Sequence, residues 1–274
     1  MTLRVVISGA SSGLGLALAQ HYLRQGAQVA ACARRADLLQ TLSDQFPGQV
    51  YCYPLDVRDA SALQAAALHF IEQAGVPDIV IANAGVSSGT LTEYAEDIHA
   101  FQQVMDINVM GVVKTFQPFI AAMRANSSPE VGQAGNPRSG RSHKGRPGGI
   151  LVGIASVAGF RGLPGAGAYS ASKAALISYL ESLRVELHGS GVSVVTLCPG
   201  YIETPMTAIN PYTMPFILPV DHAAQRIARV IAARKPFAVV PWQMGLVGSL
   251  LKVLPNWLYD WIFSKAKHKP RGLI

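Results

Sequence analysis

The chain is expected to adopt an α/β fold built on a doubly wound parallel sheet, and three observations support this. Short apolar runs rich in β-branched residues recur at residues 3–8, 28–33, 49–55, 78–82, 150–155 and 192–197. Each has the length and continuity of a strand buried on both faces. Segments of helical period lie between runs, as with Leu16, Leu18, Ala19, Tyr22 and Leu23. Several runs end in glycine, serine or asparagine, which places permissive turns at the strands' carboxyl ends, where such sheets bind ligands. A last strand is expected at residues 237–241.

Composition narrows the possibilities. The chain has 274 residues, 50% of them hydrophobic and only 14% charged. That is enough for one large domain with a full core and excludes a disordered chain. The net charge of +7 suits nucleic acid, a membrane surface or phosphate groups. No nucleic-acid module accompanies it, so nucleic acid is not an expected partner. Cys32, Cys52 and Cys198 are scattered and odd in number, which reads as reduced thiols of a cytoplasmic protein without a metal site. Residues 1–7 lead straight into a strand, so no signal peptide is expected. No run of about 20 apolar residues suggests a membrane span.

The first strand runs into Gly9-Ala10-Ser11-Ser12-Gly13-Leu14-Gly15 and then a helix. Glycines at a strand-to-helix turn let the backbone approach a pyrophosphate, which the helix N-terminus then faces with N–H groups and positive dipole. The second strand ends in Arg34-Arg35. An acidic residue there would bind free ribose hydroxyls; two guanidinium forks suit a 2′-phosphate instead. This favours NADPH over NADH. The third strand ends at Asp56-Val57, where Asp56 either accepts from an adenine amino group or caps the helix that follows to about residue 74. The fourth ends in Asn83-Ala84-Gly85, small enough for close passage of an adenosine.

A helix is expected over residues 100–125, with Asn108 among apolar neighbours, where a buried amide needs partners. Residues 126–149 change character, being rich in glycine, serine, proline and basic residues. They read as a loop insertion on the face opposite the cofactor. The fifth strand ends at Ser156, where a substrate would lie; a helix cap is the competing role. A glycine-rich loop leads to Tyr169-Ser170-Ala171-Ser172-Lys173, which opens a helix expected over residues 167–188. Tyr169 and Lys173, four apart, leave the same face as Leu176 and Leu180. A lysine beside a buried stripe is costly unless it has a partner or a task. The sixth strand closes with Pro199-Gly200-Tyr201-Ile202-Glu203-Thr204, and the proline-rich apolar segment to about residue 218 suits a movable substrate cover.

Together these motifs resemble the short-chain dehydrogenase/reductase family from residue 3 to about residue 242. Ser8-Gly9-Ala10-Ser11-Ser12-Gly13-Leu14-Gly15 is similar to the family's T-G-x-x-x-G-x-G, with Ser8 in place of threonine. Ala82-Asn83-Ala84-Gly85 is similar to N-N-A-G, with Ala82 in place of the first asparagine. Asn108, Ser156, Tyr169 and Lys173 match the family's catalytic tetrad, and Pro199, Gly200 and Thr204 its P-G-x-x-x-T element. The resemblance implies a single Rossmann-fold domain and NAD(P) contacts from Gly9, Ser11, Ser12, Gly13, Leu14, Gly15, Arg34, Arg35, Asp56, Val57, Asn83, Ala84, Gly85, Tyr169, Lys173, Pro199, Gly200, Ile202 and Thr204. It further implies that Asn108 holds a water linking Lys173 to solvent, that Thr204 contacts the nicotinamide carboxamide, and that members form homo-oligomers.

The expected chemistry is hydride transfer between NADP(H) and a ketone or secondary alcohol. Tyr169, with an ordinary pKa of about 10, would be brought toward neutrality by the Lys173 ammonium and by oxidised nicotinamide. Lys173 would also hold the ribose, and Ser156 would steady the carbonyl oxygen. An oxoacyl-carrier-protein reductase and a non-catalytic NADP-sensing protein are the competing readings.

The chain divides into a dehydrogenase domain at 1–242, carrying the 126–149 insertion, and an amphipathic extension at 243–274. That tail reads as two apolar stripes broken at Pro255, Leu246, Leu250 and Val253 in one and Leu258, Trp261 and Ile262 beside Trp257 in the other. Lys265, Lys267, Lys269 and Arg271 crowd the end. Apolar stripes with tryptophans and a basic flank suit peripheral attachment to a membrane surface and a lipophilic substrate; cover for the cleft or for a partner subunit is the other role.

Overall fold

A computed structural model describes residues 2–127, 148–210, 212–265 and 269–271. One seven-stranded sheet runs in the order β3-β2-β1-β4-β5-β6-β7, and every neighbouring pair is parallel. The strands are β1 (Arg4–Ser8), β2 (Gln28–Ala33), β3 (Val50–Pro54), β4 (Ile79–Ala82), β5 (Ile150–Ile154), β6 (Ser193–Pro199) and β7 (Phe237–Val240). All seven expected strands form, displaced by at most two residues. The order reverses between β1 and β4, so their carboxyl ends open a crevice on that edge of the sheet.

Each face of the sheet carries its own core. One buries Leu14, Leu18 and Tyr22 of α1 (Gly13–Leu23), Leu39 and Leu42 of α2 (Ala36–Gln45), and Ile227 and Ile231 of α8 (Val220–Ala232). The other buries Phe70 of α3 (Ala60–Ala74), Phe116 and Phe119 of α5 (Gly111–Asn126), and Leu176, Leu180 and Leu183 of α6 (Gly167–Glu186). Strands buried on both faces have no polar side to show, which explains their continuous apolar runs. Helices α2 and α8 stand outside the sequence-based expectations. The α6 helix ends two residues earlier than expected, because Gly189 and Gly191, both at positive φ, turn the chain toward β6.

The helix expected over residues 100–125 is a composite. It comprises α4 (Asp97–Met105), a π-helical turn at Asp106–Met110, and α5. The wide turn sits at Asn108 and lets its amide leave the helix and reach the loop after β4. Of the 126–149 insertion, Asn126 ends α5 and Ser127, Gly148 and Gly149 are described; the remainder lies outside the described residues. Ser127 Oγ donates to Ser190 O at 2.8 Å, and Gly149 leads into β5. These flanks lie at the amino end of β5, away from the strands' carboxyl ends.

The extension forms α9 (Trp242–Val253) and α10 (Asn256–Phe263), broken at Leu254-Pro255. The helix α9 turns Met244 and Gly248 inward and leaves Leu246, Leu250 and Val253 exposed. Among the described residues no helix is long and apolar enough to cross a membrane.

Candidate active site

The glycine turn is tied to the end of β4 by short polar side chains. Ser8 Oγ accepts from the N–H groups of Asn83 and Ala84, both at 3.2 Å. Asn83 Nδ2 donates to Ser8 O at 3.1 Å and Gly9 O at 3.3 Å. The serine at position 8 thus supplies its hydroxyl across the switch point, and a threonine is not required for that bond. Gly9 has φ of 71°, a left-handed conformation that glycine adopts without penalty. A methyl group on Gly15 would lie inside the contact radius of Gly9 O and Asn83 Nδ2. Gly15→Ala is therefore expected to displace the turn. Overpacking of this kind costs about 1–3 kcal/mol, so NADPH affinity measured by fluorescence titration should fall at least about fivefold, with a lower Tm. Unchanged affinity would show that the turn does not shape the cofactor site.

A cavity of about 300 Å³ opens along the crevice, lined from Gly9 and the Ser11–Leu14 turn through Arg34, Arg35 and Asp56 to Ser156, Tyr169, Lys173 and Thr204. Every proposed cofactor or catalytic residue lines it except Gly15, which packs behind Gly9, and Asn108, which lies behind Val86. Val86, Ile107, Met206 and Thr207 also line it, although the sequence did not single them out. Val86 directly follows Asn83-Ala84-Gly85, and Thr207 stands three residues after Thr204, so motif extension and capping-box spacing could have found them. Thr207 Oγ1 accepts from Thr204 N at 3.0 Å, fixing the start of the short α7 (Pro205–Ala208).

At the end of the cavity beside β2, Arg35 Nη2 donates to Ser12 Oγ at 2.9 Å and Ser11 Oγ at 3.1 Å. Both arginines are exposed at the mouth of the cavity. Asp56 does not cap α3; Asp59 does, accepting from Ala62 N at 3.0 Å. The Asp56 carboxylate is instead held by Arg58, at 2.7 and 3.0 Å. The hydrogen bonds from the Arg58 side chain hold its carboxyl below the usual range, against a smaller effect of burial.

Further along the cavity, Ser156 lies two residues beyond β5, and its Oγ accepts from Ala158 N at 3.1 Å. It therefore fills the cap role, at the one-turn helix Val157–Gly159, while also lining the cavity beside Tyr169. Lys173 Nζ is buried and donates to Ile154 O at 2.8 Å. It sits 5.7 Å from the Tyr169 ring centroid. Burial lowers the Lys173 pKa to about 8. Burial also raises the Tyr169 phenol, opposed by its hydrogen bond with Ser156. The expected lowering of Tyr169 by Lys173 is thus not met in the protein by itself. Desolvation acts on both groups and disfavours the charged form of each.

Asn108 is fully buried and its amide is engaged throughout. Oδ1 accepts from Val86 N at 2.8 Å, while Nδ2 donates to Val86 O at 2.9 Å and Ser172 Oγ at 3.0 Å. Ser172 in turn donates to Tyr169 O at 2.8 Å. Asn108 thereby joins the loop after β4 to the helix that carries Tyr169 and Lys173. Ser172 enters this network although its place in the sequence assigned it no role.

A parallel sheet with a glycine cradle at its switch point, leading to a serine–tyrosine–lysine cluster, defines a dinucleotide-dependent dehydrogenase. The sequence model of the short chain dehydrogenase family matches residues 4–212, and the chain belongs to that family. It is an NAD(P)-dependent oxidoreductase acting on CH–OH groups. An uncharacterized oxidoreductase of Myxococcus xanthus is 36% identical over 258 residues, covering 93% of this chain and 94% of the relative. Two solved structures share the fold, each with a TM-score of 0.76. A short chain dehydrogenase from Burkholderia cenocepacia, in complex with NADP, is 23% identical and is matched over 95% of this chain and 97% of its own. One from Burkholderia phymatum, in complex with NAD, is 22% identical, with coverage of 99% and 98%.

Proposed function

We propose that this protein is an NADPH-preferring reductase of lipophilic ketones, working in reverse on the corresponding secondary alcohols. The observation that carries the reading is the Ser156–Tyr169–Lys173 cluster at one end of a cavity whose other end is flanked by Arg34 and Arg35. The glycine cradle and the two guanidinium groups fit a dinucleotide with a 2′-phosphate. When bound, the nicotinamide donates or accepts the hydride and, when oxidised, brings a positive charge to the cleft. Ser156 donates to the substrate oxygen and steadies its developing charge. Tyr169 delivers the proton in reduction and accepts it in oxidation. Lys173, four residues on and anchored to Ile154 O, orients the ribose hydroxyls. Asn108 holds the Tyr169 helix in place through Ser172. The Arg58 pair leaves Asp56 less free to accept from an adenine amino group than its position suggested.

Tyr201 and Tyr212 stack edge to face at 6.4 Å, and with exposed Ile209 and Phe216 they make the cover beyond Thr204 apolar. This supports a lipophilic substrate. The test is NADPH oxidation with cyclohexanone, acetophenone and 2-decanone, and with NADH as the alternative cofactor. Binding of NADPH without turnover of any ketone or alcohol would favour the sensor reading. Ile98, Phe101 and Met110 form an exposed apolar set on α4 and the π turn, which supports self-association there.

The outer face of the extension supports peripheral attachment to an anionic membrane surface. All three tryptophans of the chain, Trp242, Trp257 and Trp261, stand there 65–75% exposed, beside Leu246 and Leu250. The basic flank is smaller than expected. Lys269 is buried against Ser87, and Arg271 pairs with Glu96 and Asp97; these partners lie far back in the chain, where composition does not reveal them. Lys252 and Lys265 remain exposed, and Lys267 lies outside the described residues. The full chain is expected to sediment with anionic vesicles at low salt, and substitution of Trp257 and Trp261 by serine should abolish this. No sedimentation of the full chain would refute the attachment, and dimer dissociation in the variant would reassign the face to a second copy.

A further inference from the structure

The segment 157–168 joins the two groups that face the substrate oxygen, Ser156 and Tyr169, and it is gripped by the C-terminal extension. The grip centres on Arg161. Its Nη1 donates to the carbonyl oxygens of Leu251 and Leu254, both at 2.6 Å, and its Nη2 to Asn256 Oδ1 at 2.9 Å. These two carbonyls end α9, where the last turn lacks intrahelical donors and the helix dipole is negative. The same guanidinium lies 4.0 Å from the centroid of the Tyr259 ring, and the Tyr259 hydroxyl donates back to Gly162 O. Phe160 packs against Gly248, where any side chain would collide with its ring.

A second grip holds the loop after β4. Gly89 N donates to Pro270 O at 3.1 Å, Lys269 Nζ to Ser87 Oγ at 2.8 Å, and Arg271 to Asp97 Oδ2 at 2.9 Å and Glu96 Oε1 at 2.8 Å. The two gripped loops also meet each other, Thr90 N donating to Gly165 O at 3.1 Å. The extension therefore closes a ring of contacts around the substrate end of the crevice without entering the cavity.

We infer that Arg161 is a positioning residue, through which the C-terminal helices hold the 157–168 segment in the shape that receives the substrate. This rests on Ser156 and Tyr169 being the reacting pair. A planar fork that bonds two carbonyls and a side-chain amide while stacking on a ring is not replaced by an ammonium.

The test uses the full chain with Arg161→Met and Arg161→Lys, and with Tyr259→Phe as the milder variant that keeps the stacked ring. Hydrogen exchange followed by mass spectrometry reads the grip directly. Amides of residues 157–168 should lose protection in all three variants, while those of residues 9–15 keep it. NADPH affinity should stay within about twofold of wild type. With 2-decanone or acetophenone, KM should rise about tenfold or more in both Arg161 variants while kcat changes less, since a lost interaction of about 1.4 kcal/mol is a factor of ten. Unchanged exchange at 157–168 would overturn the grip. Lost protection with unchanged KM would overturn the positioning role. If Arg161→Met does not fold, Tyr259→Phe carries the same exchange and KM readings. A wild-type protein that turns over no ketone would refute the proposed function and with it the positioning role, while the exchange data still decide the grip.

Discussion

Replacing Tyr169 by phenylalanine is expected to lower turnover by about two to four orders of magnitude, the usual worth of a positioned general acid or base. Only one hydroxyl is removed. The ring remains beneath Lys173, and the Lys173 bond to Ile154 O at 2.8 Å does not involve the phenol. Asn108 and Ser172 hold the helix through the backbone carbonyl of Tyr169, which the substitution leaves in place. Fold and NADPH affinity should therefore survive. Ser156 loses its hydrogen-bonded neighbour, so the residual rate measures what Ser156 and binding alone contribute. The checks are ketone-dependent NADPH oxidation, NADPH titration and thermal unfolding on the same preparation. Near wild-type turnover with a verified substrate would remove Tyr169 from the mechanism.

Removing Arg34 and Arg35 together is expected to weaken NADPH about a hundredfold and to change NADH by less than about threefold. Hydrogen bonds to charged groups contribute about 1.5–3 kcal/mol each. Both side chains are exposed, so solvent screening brings each toward the low end, about tenfold apiece. The Arg35 guanidinium already lies on Ser11 and Ser12 of the glycine turn, which sets its position at little further entropic cost. The proposed preference for NADPH should shrink as ionic strength rises. Equal losses for both cofactors would show that the arginines stabilise the turn and do not read a 2′-phosphate.

The alternation of strands and helices, the glycine cradle and the Tyr169–Lys173 pair were all legible from residues close together in sequence. Strand length, helical period and turn chemistry depend on neighbours within a few positions, and the doubly wound sheet follows from their order. What depends on distant partners was not legible. Asn108 reads as an awkward amide in a helix; only packing shows the π turn that delivers it to Val86 and Ser172. Asp56 reads as an adenine ligand or a cap, but two residues later Arg58 folds back onto it and Asp59 takes the cap. Lys269 and Arg271 read as a free basic flank, yet Ser87 and Asp97 draw them inward across separations of 182 and 174 residues.

The sequence by itself thus determined the sheet, the glycine turn at its switch point and the Tyr169–Lys173 pair on one helix face, because local pattern and motif spacing encode them. Tertiary structure decided which way each charge faces and what holds the loop between Ser156 and Tyr169. The fate of a charged side chain depends on which carbonyls and carboxylates packing brings within about 3 Å, and Arg161 meets its own only where α9 ends, 90 residues further along the chain.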